Sequence, residues 1–191
     1  MATARQRKIE SVYQIKVTLK DIRPPIWQRV QVPSNISLNK LHWILQAVMP
    51  WDGYHLHQSI IGGVDYSEPD PDDDFGFELK SDRTAKLNQV ALGAGARFTY
   101  EYDFGDGWEH EILIERVLPP EGGVRYPMCL AGKRAWPPED CGGTPGYARF
   151  PEAIRNPVHE EHDELRQWAG GSFDPETFDL DDINHRLRRI K

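Results

Sequence analysis

Tyr13, Ile15, Val17 and Leu19 alternate with Gln14, Lys16, Thr18 and Lys20, the period-two pattern of a strand with one wet face. Asp21-Ile22-Arg23-Pro24-Pro25 interrupts it, because prolines have no N–H to offer a ladder. Ile26, Val30 and Val32 predict a second strand closed by Pro33. Ser37 is placed to cap a helix in which Leu38, Leu41, Ile44, Leu45 and Val48 form one stripe, ended by Pro50. Residues 54–61 predict a third strand, and Gly62-Gly63 turns the chain into a short continuation around Val64 and Tyr66.

The stretch FTYEYDFGDGWEHEILI, residues 98–114, predicts a β-hairpin that sorts aromatic rings and carboxylates onto opposite faces. A two-residue Asp106-Gly107 turn would pair Asp103 with His110 and mix the faces. A three-residue loop of Gly105, Asp106 and Gly107, with Gly107 left-handed, pairs Phe104 with Trp108, Tyr102 with His110 and Tyr100 with Ile112. That register gathers the large apolar groups on one side, so burial favours it. It also sets Asp103 against Glu109 and Glu101 against Glu111. These like-charge pairs read either as a solvated face or as a place where a cation or a basic partner is held.

Beyond residue 118 the character changes. Residues 119–147 contain PPEGG, PPED and CGGTPG and predict a long irregular segment, of the kind more often functional than idle. Three helical pieces follow: residues 147–155, stopped by Asn156-Pro157; residues 159–169, closed by Gly170-Gly171; and a last helix from Asp179 with Leu180, Ile183, Leu187 and Ile190 in phase. The pattern as a whole predicts an α+β chain: a flexible tail over residues 1–11, then one domain over 12–191. That domain has a mostly antiparallel sheet of about five strands, one packed helix and C-terminal helices.

At 191 residues the chain is long enough for one core. No apolar run approaches the roughly 20 residues needed to span a bilayer, and MATARQRKIE has no apolar segment behind it, so a cytoplasmic location is expected. The net charge of −7 argues against direct nucleic-acid binding, since phosphate contacts need a concentrated positive surface. The basic residues at the two ends, Arg5, Arg7 and Lys8 and then Arg186, Arg188, Arg189 and Lys191, read as solvated termini. The acidic run over residues 68–74 reads as a solvated loop without the spacing of an EF-hand.

Candidate chemistry is scattered. His55 and His57, one residue apart on an expected strand, would share a face and could begin a metal site, as could Cys129 and Cys141 if histidines or carboxylates completed it. His159 and His162 stand three apart on an expected helix. Asp103, Asp106 and His110 of the hairpin, with Glu139 and Asp140 of the PPED segment, are the candidates for a catalytic or divalent-metal site. Trp108, Trp136 and Tyr147 are candidate binding residues. His110, on the aromatic face, reads equally as a core histidine. There is no phosphate-cradling glycine loop before a helix and no nucleophile elbow.

The segments IRPPIWQRVQVP, LHWILQAVMPWDGYHLHQ, YEYDFGDGWEH, CLAGKRAWPPEDCGGTPGY and NPVHEEHDELRQWAGGSFDP together resemble the plasmid pRiA4b ORF-3-like family. The resemblance implies a compact α+β domain and an association with plasmids and transposons. It carries over motif residues that include Trp27, His55, His57, Tyr102, Asp103, Asp106, Trp108, His110, Cys129, Glu139, Asp140 and Tyr147. Relatives often have a cysteine where this chain has Trp136, so the resemblance implies an incomplete three-thiolate site here. Two functional readings follow. The first is a non-catalytic binding or accessory module acting with an unidentified protein partner or nucleic-acid-processing complex. The alternative is a divalent-metal-dependent hydrolase or nuclease using Asp103, Asp106, His110 and Glu139.

Overall fold

The computed structural model describes residues 9–68, 79–169, 171 and 173–190. The acidic run beyond Glu68, and most of the expected N-terminal tail with Arg5, Arg7 and Lys8, lie outside the described residues. The alternating segments form strands β1 (Val12–Leu19), β2 (Trp27–Pro33), β3 (His57–Ile61, the second part of the expected 54–61) and β4 (Val64–Ser67). Next come β5 (Lys80–Ser81), β6 (Arg97–Tyr102), β7 (Trp108–Leu118) and β8 (Met128–Lys133). All eight join one sheet in the order β5-β4-β3-β6-β7-β1-β2-β8, antiparallel except for the β4–β5 pair. The sheet is thus larger than the five strands expected. The addition that matters most is β8, an edge strand on β2 inside the segment expected to be irregular. Its sequence, MCLAGK, carries no clean alternation, and pairing with β2 supplies the order that side-chain pattern does not.

Among the described residues the helices are α1 (Leu38–Val48), α2 (Leu87–Val90), α3 (Gly143–Arg155), α4 (His162–Trp168) and α5 (Leu180–Leu187). Ser37 caps α1 as expected, its hydroxyl accepting from the Lys40 amide at 3.1 Å. The stripe Leu38, Leu41, Ile44, Leu45 and Val48 is buried in one core with Ile15, Val17 and Leu19 of β1. Asp179 caps α5 in the same way. The expected helix at residues 159–169 starts only at His162. His159 stays outside it, its ring accepting from the Glu161 amide, while buried His162 bonds the Ala153 carbonyl at 3.0 Å. The two histidines therefore serve separate local turns. No described helix is long and apolar enough to cross a membrane.

The 98–114 hairpin forms, but two residues out of the expected register. Tyr102 pairs with Trp108, Tyr100 with His110 and Phe98 with Ile112, leaving a five-residue loop over 103–107. A slip of two leaves every side chain on the face it already had, so burial cannot choose between the registers. Asp103 makes the choice. It takes a left-handed conformation (φ 54°), accepts the Gly107 amide on its carbonyl, and caps the Gly105 and Asp106 amides with Oδ1 at 3.0 and 3.2 Å. Phe104 then falls at the loop tip, half exposed, instead of joining the aromatic face.

The acidic outer face of the hairpin is neutralised from within the chain. Lys20 pairs with Glu109, Arg97 with Glu111, and the Gln58 amide donates to Glu101. The expected opposition of Asp103 to Glu109 does not occur, because Asp103 belongs to the turn. This face therefore needs no external cation.

Candidate functional site

The loop that follows β8 folds over the hairpin turn. The Trp51 indole N–H donates to the Pro137 carbonyl at 2.9 Å, and the Asp106 carboxylate accepts the Gly142 amide at 3.1 Å. Glu139 accepts from the Tyr102 hydroxyl and from the Asp52 amide, the latter at 2.8 Å. Burial and this acceptor together hold the Tyr102 hydroxyl protonated well above the usual tyrosine range. Hairpin turn, PPED loop and the segment before β3 thus meet at one end of the sheet.

At their junction stand His55, Asp103 and Asp140. The His55 Nε2 lies 2.8 Å from Asp140 Oδ1 and 3.7 Å from Asp103 Oδ2, and one ligand atom from each of the three lies within 4.8 Å of the others. Asp140, like Asp103, is held at positive φ (59°), so both carboxylates are aimed by backbone turns. Among the described residues this is the single group of three or more His, Cys, Asp and Glu side chains close enough to share an ion.

The other sequence candidates have different places. His110 is fully enclosed, donates from Nδ1 to the Tyr100 carbonyl at 3.1 Å, and is pushed down to about 4 by burial. It packs among Trp51, Tyr100 and Trp136 and has no route to a solvent-borne substrate, which corrects its candidacy as a catalytic group. Asp106 and Glu139 act as structural acceptors that fasten the loop. Trp108, Trp136 and Tyr147, the candidate binding residues, are buried core residues, which corrects their candidacy as contacts for a partner.

The two cysteines are free and neither joins the His55 group. Cys129 is buried on β8 and its thiol is pushed up to about 11 by desolvation. Cys141 is pushed up to about 12, by burial first and then by Asp106. Both are thiols at neutral pH, which disfavours them as metal ligands.

His57 does not join the His55 cluster, because His55 sits in a bend before β3 and turns toward the PPED loop. His57 instead begins a buried polar array that sequence reasoning missed. Its Nε2 lies 3.1 Å from Asp82 Oδ2, and its ring stacks on His42 at 3.6 Å. His42 Nδ1 lies 2.8 Å from the Tyr100 hydroxyl, which accepts from the Gln46 amide at 2.9 Å. Desolvation, and then the neighbouring His57, push His42 down to about 3. Burial alone would raise Asp82, but hydrogen bonds from His57 and Asn39 outweigh it and hold the carboxyl below its ordinary value. The one signal in the sequence was that His42 and Gln46, four apart, fall on the apolar stripe of α1. His55, His42 and His57 all line one cavity of about 430 Å³.

The chain is an α+β protein whose antiparallel sheet has its central hairpin capped by a proline-rich loop, with a histidine and two carboxylates at the seam. The chain belongs to the plasmid pRiA4b ORF-3-like protein family, whose model matches residues 11–182. It is 40% identical to the uncharacterized protein y4hQ of Sinorhizobium fredii, over 92% of this chain and 90% of that one. It is also similar to the crystal structure of MM3350, a protein of unknown function from Methanosarcina mazei, at 39% identity and a TM-score of 0.83. That likeness covers 92% of this chain and 98% of the other.

Proposed function

We propose that this protein is a binding module that holds a divalent cation through His55, Asp103 and Asp140 and presents it to a protein or nucleic-acid-processing partner. The observation that carries the reading is the convergence of one imidazole and two turn-aimed carboxylates within 4.8 Å. One nitrogen and two oxygens suit a transition ion such as Mn²⁺ or Zn²⁺ better than Mg²⁺ or Ca²⁺. Three protein ligands leave coordination positions open, where a partner's carboxylate or phosphate attaches. To bind through Nε2, His55 must turn that nitrogen's lone pair from Asp140 to the ion, and protons compete with the cation for it.

Titration calorimetry with Mn²⁺ and Zn²⁺ is expected to show one saturable site. Affinity should fall by at least about tenfold in His55→Ala and in Asp140→Asn, since losing even outer-shell support costs that much. Glu109→Gln, on the neutralised outer face, should bind as the parent does. No saturation at millimolar metal, or equal binding in the His55→Ala, Asp140→Asn double variant, would sink the reading.

A second reading, a metal-dependent hydrolase, is favoured by one observation. The carboxylate-oriented imidazole of His57 opens on the same cavity as His55. It predicts Mn²⁺-dependent hydrolysis of bis(p-nitrophenyl) phosphate that disappears in His57→Gln while metal binding persists.

A further inference from the structure

The cavity that contains His55 has other walls whose chemistry the cation cluster does not use. They include the stacked rings of His42 and His57, the indole of Trp43 and the exposed side chain of Leu56.

Hydrogen bonding assigns the tautomer of both imidazoles. Asp82, held below its ordinary value, is a carboxylate and can only accept, so His57 carries a proton on Nε2 and its neutral ring keeps a lone pair on Nδ1. The Tyr100 hydroxyl accepts from the Gln46 amide, and its own proton has His42 Nδ1 as its acceptor. Desolvation pushes His42 down to about 3, so that ring is neutral at pH 7 and its remaining proton sits on Nε2. His57 Nδ1 and His42 Nε2 have no partner among the described residues, and neither is sealed from solvent as Gln46 Oε1 and Asp82 Oδ1 are. The rings lie 3.6 Å apart and 10° from parallel, so an acceptor and a donor stand side by side in one cavity. Two neighbouring hydroxyls match that pair, because each can both give and take a proton.

The second observation is the indole. Trp43 is 45% exposed, yet its ring is held in place. It stands edge-on to His42 at 4.8 Å, and a Cβ on Gly53 would lie only 2.9 Å from its Cζ3. Gly53 also takes φ 75°, so this close approach needs a glycine twice over. A fixed, half-exposed indole offers a face with the negative end of its quadrupole outward, and the C–H bonds of a sugar ring carry the matching slight positive charge.

The third observation is the charge balance. Glu68 and Arg83, the carboxylate and the guanidinium in the cavity wall, pair with each other. The wall therefore favours a neutral ligand over an anion or a cation.

We propose that this cavity binds a neutral monosaccharide or an equally small polyol, with its C–H face on Trp43 and two neighbouring hydroxyls on His57 Nδ1 and His42 Nε2. The volume, about 430 Å³, falls in the range of small-ligand pockets. The site goes beyond the cation reading and does not rest on it, since Trp43, His42 and His57 lie outside the cation cluster.

The test is calorimetry and ligand-observed NMR on the full chain in EDTA. The probes are the methyl pyranosides of glucose, galactose and mannose together with myo-inositol, and cyclohexanol is the control that has a ring but a single hydroxyl. At least one polyol should saturate in the millimolar range, and Trp43→Ala and His57→Gln should each weaken it about tenfold or more. Glu109→Gln should bind as the parent does. Thermal melts separate lost binding from lost fold, and Trp43→Ala, at an exposed position, keeps the test valid if His57→Gln does not fold. Polyol binding in EDTA beside a failed Mn²⁺ and Zn²⁺ titration would sink the cation reading alone, and the converse would sink this one alone. Three results would overturn the proposal: no saturation by any polyol at about 100 mM, far weaker than specific small-ligand binding; cyclohexanol binding as tightly as the best polyol; or undiminished binding in Trp43→Ala.

Discussion

Between pH 6.5 and pH 4 this protein is expected to lose several kcal/mol of stability, because two buried histidines are held neutral in the fold. His110 is pushed down to about 4 and His42 to about 3, both chiefly by desolvation. In the unfolded chain each takes up a proton near the ordinary histidine value of about 6.5. The sign follows from proton counting. Below that value the unfolded state binds more protons than the native state, so stability falls with falling pH, by about 1.4 kcal/mol per pH unit per histidine. By pH 4 each histidine costs on the order of 3 kcal/mol, a large part of the roughly 5–15 kcal/mol that holds a typical domain together. Asp82 acts in a lower window. Its carboxyl is held below the usual value, so its contribution is complete above about pH 4 and is lost only beneath it. Urea unfolding at pH 7 and pH 5 measures the effect. His110→Phe keeps a ring in the aromatic cluster and removes the titrating group, so its stability should vary with pH less steeply by one proton. An unchanged slope in that variant would show that His110 is not held neutral by the fold.

These histidines mark the boundary of what the chain discloses by pattern. Strands β1 to β4 and helix α1 were legible because alternation and helical phase each place one apolar face, and the core has room for that face in only one direction. The facing of the 98–114 hairpin was legible for the same reason. Its register was not, since a two-residue slip conserves facing and the deciding contacts are backbone amides around Asp103. The site divides likewise. His55, Asp103 and Asp140 are each visible as chemistry-bearing residues. Their union depends on the PPED loop reaching back across the turn, which no local pattern encodes. Asp82 was invisible in the sequence. It sits between β5 and α2 as an ordinary surface-type residue and becomes 1% exposed only when His57 and Asn39 close on it.

Replacing Gly143 with alanine is expected to separate the two halves of the proposed cation site without touching His55, Asp103 or Asp140. A Cβ at this position would lie 2.3 Å from the backbone carbonyl oxygen of Asp106, a contact no side-chain rotation can relieve. The residue also sits at φ 66°, where an L side chain is strained on its own account. Strain and overpacking together put the cost at about 3 kcal/mol. The relaxation available is for the loop to lift from the hairpin turn. That breaks the Asp106–Gly142 bond and draws Asp140 away from His55. Gly143→Ala should therefore melt well below the parent and bind Mn²⁺ or Zn²⁺ at least about tenfold more weakly, though His55, Asp103 and Asp140 all remain. Gly123→Ala is the matched control. It too has positive φ (82°), but its Cβ would meet nothing within 4 Å, so it should cost only the conformational penalty of about 1 kcal/mol and leave metal affinity intact. If Gly143→Ala instead kept the parent's affinity, the three ligands would be assembled by something other than the contact between loop and turn.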